Sequence, residues 1–357
     1  MPVSAWTIEE WPLREQPDGL LAELHHARGP LHDEATPDDP RRPVADEIMA
    51  ARSLPATEDG VRLVARGSRG AIAGYAWCGW EQLTGWDHVL SADVAVLPEQ
   101  RRRGLGRLLL DRAASIAAGR GLRLVMGRSR ENVPSGGAFA RRFGAEVALV
   151  SKENRQDLRS VNNDLVDRWA ADGPVRAPGY RLLFVAGRTP PELTDRVAEV
   201  FNVMNTAPRD NLDVSDVPVT PELVRQYEDA IVAAGDRMWA YYAVEESSGR
   251  FVGLTNVTMR RGEPDRVHVG DTGVESAHRG HALGKWLKAE MTRRIVAELP
   301  DVRWVITSNA GSNDAMLGIN SQLGFGTTAV FTTWQIPTDR LVAELAATTT
   351  GPNRRSQ

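Results

Sequence analysis

Asp93-Val94-Ala95-Val96-Leu97-Pro98-Glu99-Gln100-Arg101-Arg102-Arg103-Gly104-Leu105-Gly106 returns later in the chain in altered form. The second copy is Asp271-Thr272-Gly273-Val274-Glu275-Ser276-Ala277-His278-Arg279-Gly280-His281-Ala282-Leu283-Gly284. The two align without a gap at an offset of 274 − 96 = 178, half of a 357-residue chain. The pairs Phe143-Gly144 and Leu323-Gly324 keep nearly that offset, 324 − 144 = 180. One matching loop is within reach of chance. Two matches in the same order and spacing indicate an internal duplication.

The surroundings repeat as well. An apolar alternating run precedes each loop, Val89 to Val96 and Val267 to Val274, and reads as a strand. A helical pattern follows each loop: Leu105, Leu108, Leu109, Ala113 and Ile116 in one copy, Leu283, Trp286, Leu287, Met291 and Ile295 in the other. Short strands come next, Leu122 to Met126 and Val302 to Thr307, and then a second helix leading to each Gly. Hairpin strands are expected upstream, Val61 to Ala65 with Ala71 to Cys78, and Met238 to Val244 with Phe251 to Met259. Lys152 to Trp169 reads as helical, and Asp172-Gly173-Pro174 with Ala177-Pro178-Gly179 punctuates the chain. The division expected is a first lobe over 1–152, a connector over 153–178, a second lobe over 179–340 and a polar tail over 341–357.

A strand that runs into a basic, Gly-containing turn and opens a helix has a physical use. The helix start presents unpaired N–H groups and the positive end of its dipole. Glycine permits close backbone approach and left-handed angles. Together these cradle a pyrophosphate. Arg101, Arg102, Arg103 and Arg107 add charge in the first copy, and Arg279, His281 and Lys285 in the second. A solvated basic helix start is the plain alternative for one such loop, and duplication at matched positions weighs against it. Neither copy has the Gly-Lys-Ser/Thr of a P-loop or the G-x-G-x-x-G of a Rossmann turn.

Composition narrows the class. A net charge of −4 argues against a general polyanion binder, so no nucleic-acid partner is expected. The single cysteine, Cys78, cannot form an internal disulfide or a cysteine-rich metal site, and it reads as a buried strand thiol. No metal is expected. The first residues lack a signal-peptide pattern and no apolar run reaches spanning length, so a cytoplasmic protein without membrane association is expected.

With these residues set out, the chain resembles the GNAT superfamily of N-acetyltransferases. That family's signature is Arg/Gln-x-x-Gly-x-Gly/Ala after its fourth strand. Arg101-x-x-Gly104-x-Gly106 matches it, and Arg279-x-x-Ala282-x-Gly284 matches with Ala for the first Gly. The second copy also carries Asn313 and, eleven residues on, Gly324-Phe325. Asn309 to Phe325 looks like the second half of the tandem, mycothiol-synthase-type branch. In the first copy Val133 takes the Asn place and Gly144-Ala145 the Gly-Phe place. The resemblance covers nearly the whole chain. It implies an α/β fold of two tandem lobes, each a mixed sheet splayed at its fourth and fifth strands and flanked by helices. It also implies direct acyl transfer from acetyl-CoA or another acyl-CoA to an amine, with no metal and no covalent enzyme intermediate.

The resemblance assigns roles residue by residue. Val96, Arg101 to Gly106 (Arg102, Arg103 and Leu105 included), Val274, Arg279, Gly280, His281, Ala282, Leu283, Gly284, Lys285, Asn309 and Asn313 would hold the CoA. The backbone N–H of Val274, or of Val96, would polarise the thioester oxygen. A base must take the amine proton. Asp271, and Asp93 in the first lobe, each sit three residues before the matched valine, and a carboxylate on a core strand stands out; a structural aspartate is the equal alternative. Glu275 and His268 are weaker candidates. Many members of the family place Tyr seven residues after the Asn. Here that place holds Asn320, and Ala140 in the first lobe, so the thiolate leaves unaided or another group protonates it. Tyr241 and Tyr242 lie on a nearby strand.

The acceptor is expected to be a small polar amine. Asn205, Asp210 and Asp213 in the loop Asn205 to Asp213 are its candidate contacts, against the plainer reading of an Asp/Asn turn with a helix cap. The second lobe is expected to be catalytic and the first to bind CoA or to be structural, in a monomer or homodimer. A non-catalytic acyl-CoA sensor is the alternative, motivated by the missing tyrosine.

Overall fold

A computed structural model describes residues 6–350, with side chains described through 347. The chain forms two compact units. The first comprises residues 1–150, 210–215 and 331–357; the second comprises 151–209 and 216–330.

The first unit opens with β1 (Trp6–Pro12), α1 (Asp18–Ala27), α2 (Gly29–Ala35) and α3 (Val44–Arg52). Then come β2 (Glu58–Gly67), β3 (Ile72–Glu81), β4 (Val89–Val96), α4 (Leu105–Gly119), β5 (Leu124–Arg130) and α5 (Pro134–Arg142). The strands are antiparallel through β1, β2, β3 and β4, and β5 runs parallel to β4. Alternation sorts β2 onto two faces. Leu63 and Ala65 join the core under α4, and Val64 packs with Leu20 and Leu24 of α1. On α4, Leu105, Leu109 and Ala113 of the expected stripe are buried, while Leu108 and Ile116 are half-buried. Each buried leucine contributes roughly 2 kcal/mol of apolar burial.

β6 (Glu146–Asp157) runs on from the first unit, and its second half pairs with a strand of the second. The second unit continues with α6 (Asn163–Arg176), β7 (Tyr180–Ala186), α7 (Thr194–Phe201), α8 (Pro221–Ala233), β8 (Arg237–Glu245) and β9 (Phe251–Met259). It closes with β10 (Arg266–Val274), α9 (Leu283–Glu298), β11 (Trp304–Ala310) and α10 (Asp314–Gln322). Its strand order is β6, β11, β10, β9, β8, β7. The α9 stripe of Leu283, Trp286, Leu287, Met291 and Ile295 is buried throughout.

β12 (Gly326–Pro337) and α11 (Thr338–Thr350) end the described chain. Phe331 to Pro337 pair antiparallel with β5, completing the first unit's sheet. So the strand after α5 completes one sheet, and the strand after α10 completes the other.

Three local expectations need correction. Lys152 to Trp169 is not one helix: strand β6 runs to Asp157, where its backbone pairs with β11. α6 does not stop at Asp172-Gly173-Pro174 but continues to Arg176. Gly173 is there for packing, because a Cβ would collide with the indole of Trp286 on α9. The stretch from 341 begins as helix, with Leu341 and Leu345, one turn apart, each 1% exposed in the first core. The tail 351–357 lies outside the described residues. Among the described residues no helix is long and apolar enough to cross a membrane, and no cluster of acidic, His or Cys side chains could hold a metal.

Candidate functional site

In each unit the parallel pair is short. β4 and β5 pair at Val89–Leu124, Leu90–Val125 and Ser91–Met126, and β10 and β11 at Arg266–Trp304, Val267–Val305 and His268–Ile306. Beyond these three pairs the strands part, leaving a gap lined by backbone. This is the splay expected at the fourth and fifth strands.

The two gaps differ. Strand starts are offset by 266 − 89 = 177 and strand ends by 274 − 96 = 178. The additional residue is a bulge in β10, where its register against β9 shifts between Val269 and Thr272. β4 pairs with β3 without interruption from Ser91 to Val96. A bulge leaves one residue outside the ladder and re-aims its neighbours. At this bulge Asn256 Oδ1 accepts from the Asp271 N–H at 2.9 Å. Gly270 has to be glycine, since a Cβ would strike that same oxygen. Thr272 Oγ1 lies 2.9 Å from Thr255 Oγ1.

Backbone parity places Val274. Consecutive strand residues turn their N–H and C=O to opposite neighbours. Glu275 N–H donates to Val252 O of β9 at 2.9 Å, so Val274 faces the other way, into the gap. In the first unit Leu97 N–H donates to Ala73 O of β3 at 3.1 Å, which turns Val96 toward its own gap. Neither valine has a ladder partner on that side.

The repeated arginine position is used alike in both units. Arg279 Nε donates to Val274 O at 3.0 Å, and Arg101 Nε to Val96 O at 3.1 Å. Each therefore fixes the strand end rather than standing free. Arg101 also forms a two-pronged pair with Glu34, at 2.7 and 2.5 Å. This pairing neutralises it, raising the pKa of Arg101 and lowering that of Glu34, mainly through the hydrogen bond between them. Arg279 is exposed, its other contact being Thr206 Oγ1 at 3.3 Å.

The loops share one backbone path. Left-handed angles occur at Arg102 (φ 63°) and Gly104 (92°), and at Gly280 (88°) and Ala282 (59°). Each loop keeps glycine at one of the two positions and a side chain at the other. The helix-opening N–H groups that follow, at Leu105 and Gly106 or Leu283 and Gly284, suit an anion. Gly106 lies 3.1 Å, as a virtual Cβ, from the Phe139 ring, whereas Gly284 has ordinary clearance from Ile319. Arg102, Arg103 and His281 are exposed. Lys285 is drawn sideways, to Gln322 Oε1 at 3.2 Å and over the Trp169 ring.

On α10, Asn313 is the N-cap, accepting from Met316 N–H at 3.2 Å. Asn320 is 1% exposed. Its Nδ2 donates to Asn309 Oδ1 of β11 at 2.9 Å, while its own Oδ1 is buried without a partner. The structure thus joins Asn320 to Asn309 and leaves one acceptor open.

Asp271 is half-buried, and burial raises its pKa while the Asn256 amide draws it back. Asp93 reaches solvent by surface area, yet protein packed around its carboxyl raises its pKa too. Asp93 Oδ1 also accepts from Arg128 N–H at 3.2 Å, bridging the first gap from β4 to β5. The weaker base candidates are engaged elsewhere: His268 Nε2 with Glu263 at 2.5 Å and Glu275 with Arg250. Tyr241 accepts from Arg294, and Tyr242 stacks on Phe251 in the core.

The three acceptor candidates are not gathered. Asn205 latches its own loop, donating to Val217 O and accepting from Val217 N–H. Asp210 and Asp213 belong to the short segment 210–215 of the first unit. There Leu212 and Val214 pack with Val89, Leu124 and Met126, and the Asp213 carbonyl meets His88 Nε2 at 2.9 Å. Both aspartate side chains are exposed. Sequence reading missed Asn256 and Thr255, which sit side by side on β9 and bond to Asp271 and Thr272 at the bulge. It also missed Lys288, buried on α9 with Phe325 as its contact.

Residues 22–145 match the Acetyltransferase (GNAT) family. A mycothiol acetyltransferase from Geodermatophilus obscurus is 32% identical over 149 residues, which are 42% of this chain and 45% of that protein. The chain thus spans less than half the length of that curated relative. A tandem GNAT protein from the clavulanic acid biosynthesis pathway superposes with a TM-score of 0.74 at 25% identity, over 93% of this chain and 99% of that one. A GCN5-related N-acetyltransferase from Sphaerobacter thermophilus gives 0.64 at 16% identity, over 94% and 96% of the two chains, a likeness of fold alone.

Proposed function

We propose that this chain is a tandem-domain member of the GNAT superfamily that transfers an acetyl or other short acyl group from CoA to a primary amine of a small polar molecule. In this reading the second lobe is catalytic and the first is structural. The observation that carries it is the contrast between the gaps. Val274 and Val96 both turn an unpaired N–H into their gaps, but the second gap has a bulge beside it and the first is bridged by Asp93 to Arg128.

The residues present fit an acyl-CoA. The left-handed turn at Gly280 and Ala282 aims the first N–H groups of α9 outward, where a pyrophosphate would be held. The buried, unpartnered Asn320 Oδ1 is an acceptor suited to an amide or thiol hydrogen of the pantetheine arm. Acyl-CoA supplies an activated thioester when bound. The chain's own parts then divide the work. Val274 N–H donates to the carbonyl oxygen as charge grows there. Asp271, whose pKa burial raises, takes the amine proton directly or through water. Asn320 cannot donate a proton as a phenol can, so the thiolate departs without a tyrosine acid. Asn205, Asp210 and Asp213 are the proposed contacts of the acceptor. A cytoplasmic location fits an acyl-CoA enzyme whose single thiol is buried.

Calorimetric titration with acetyl-CoA followed by an amine screen tests this. One site per chain and acyl transfer to a small amine are expected. No binding at millimolar ligand would sink the transferase reading. The open Asn320 position favours a second reading, an acyl-CoA sensor without turnover; rapid transfer to any amine removes it.

A further inference from the structure

On the face of the first sheet covered by α1 and α3, one guanidinium lacks an answering anion. Arg62 of β2 is 8% exposed. Its one hydrogen bond among the described residues runs from Nε to Gln16 Oε1, 3.2 Å away, and Gln16 is itself 1% exposed. The two Nη groups, the prongs that usually grip an oxyanion, have no partner there.

The neighbours sharpen the deficit. Arg28, just past α1, is near enough to repel Arg62. It lies over the Tyr75 ring at 4.8 Å, bonds Glu47 Oε1 at 2.5 Å and keeps a buried Nε without a partner. Glu47 is the one carboxylate acting on Arg62, and its other oxygen is held by His25 Nδ1 at 2.5 Å. Two guanidiniums and an imidazole therefore share a single carboxylate. Burial first, and Arg28 second, push Arg62 down to about 10, so it stays charged at neutral pH. Arg62 is thus a cation set beside another cation with no carboxylate bonded to it among the described residues, a setting in which an external oxyanion has donors to meet.

We propose that Arg62 binds the carboxylate or phosphate group of a small molecule, with its two Nη groups as the principal donors. Its position gives the ligand a place relative to the first gap. Arg62 pairs with Trp77, and Trp77 with Asp93, so Arg62 and Asp93 share a face two strands apart. At the usual strand spacing that is about 10 Å, the length of a small metabolite. The site does not depend on acyl transfer, and it gives the first lobe a ligand of its own.

The full chain is titrated with sodium acetate and, separately, inorganic phosphate, by calorimetry and by thermal unfolding. At least one anion is expected to bind and raise the melting temperature. Arg62→Gln is expected to weaken that binding by at least about ten-fold while leaving acetyl-CoA binding unchanged. A response to acetate alone assigns a carboxylate ligand, and to phosphate alone a phosphate monoester. Binding of neither at about 50 mM, or equal binding by Arg62→Gln, overturns the proposal. A crystal of the wild-type chain grown with bromide gives a readout that no variant can spoil. An anomalous peak against the Arg62 Nη groups is expected, and its absence there overturns the site.

Discussion

Gly104 and Ala282 hold the same left-handed backbone position, φ 92° and 59°, at the starts of two helices 282 − 104 = 178 residues apart. Neighbouring Arg102 and Gly280 reverse the arrangement. An L side chain in this region costs roughly 1–2 kcal/mol, so each loop carries one strained residue. Nothing lies within 4 Å of a Cβ at Gly104, which isolates the backbone effect. Gly104→Ala should therefore lose about 1 kcal/mol of stability. Ala282→Gly should change stability little or gain up to about 1 kcal/mol, because relief of strain is offset by added freedom in the unfolded chain. Denaturant unfolding of both variants checks the pair, and equal destabilisation by both would contradict it.

Arg101 and Arg279 make the same bond to the strand-end valine but differ in charge balance. Arg279→Ala should weaken acetyl-CoA binding by about ten-fold, as expected for losing a charge-assisted donor that also orders Val274. Arg101→Ala should leave that binding unchanged, because Glu34 already neutralises Arg101. Calorimetry on the two variants reads this directly. A larger loss in Arg101→Ala would place the CoA in the first lobe.

Much of this was legible in the sequence because it is local. The strand, loop and helix around each repeat follow from period and glycine placement, and the α9 stripe was read residue by residue. What escaped depends on partners far along the chain. β6 and β12 look alike from sequence, and only pairing decides which sheet each completes. The gap-free alignment from Asp93 and Asp271 onward hides the bulge, since the extra residue precedes it. Arg101 reads as a phosphate ligand until Glu34, 67 residues away, is seen to hold it. That Asn205 would bond Val217 and the Asp213 backbone meet His88 and Gln335 was likewise out of reach of the local sequence.

Lys288 is 5% exposed, and among the described residues only the Phe325 ring makes a charge contact with it, at 5.5 Å. Burial pushes its pKa from 10.5 down to about 8. Below pH 8 the amine is charged in both states, and the folded state bears the full cost. Between pH 8 and 10.5 the unfolded chain binds the extra proton, so stability rises with pH across that window. Lys288→Met should raise stability at pH 7 by at most about 3 kcal/mol, less the lost ring contact. The gain should vanish near pH 11. Thermal unfolding of both proteins across pH tests it, and a variant less stable than wild type at pH 7 would show that Lys288 has a counter-charge.

Asp271 tests chemistry and stability together. Burial raises its folded pKa above the ordinary carboxylate value of 3.8. As pH rises past that value the unfolded chain ionises first, so stability falls until the folded group ionises and stays lowered above. Asp271→Asn removes this ionisation and leaves the Asp271 N–H to Asn256 bond in place. The variant should unfold at a higher temperature than wild type at pH 8, with the difference closing toward pH 3. Its turnover should fall by about 10²–10⁴-fold, the usual cost of losing a general base. The wild-type rise in kcat/KM with pH, which follows ionisation of the base, should flatten in the variant. Asp93→Asn, which lies in the bridged first gap, should keep its turnover. A stabilised Asp271→Asn that still turns over at the wild-type rate would make Asp271 a structural carboxylate and move the search for the base to bound water.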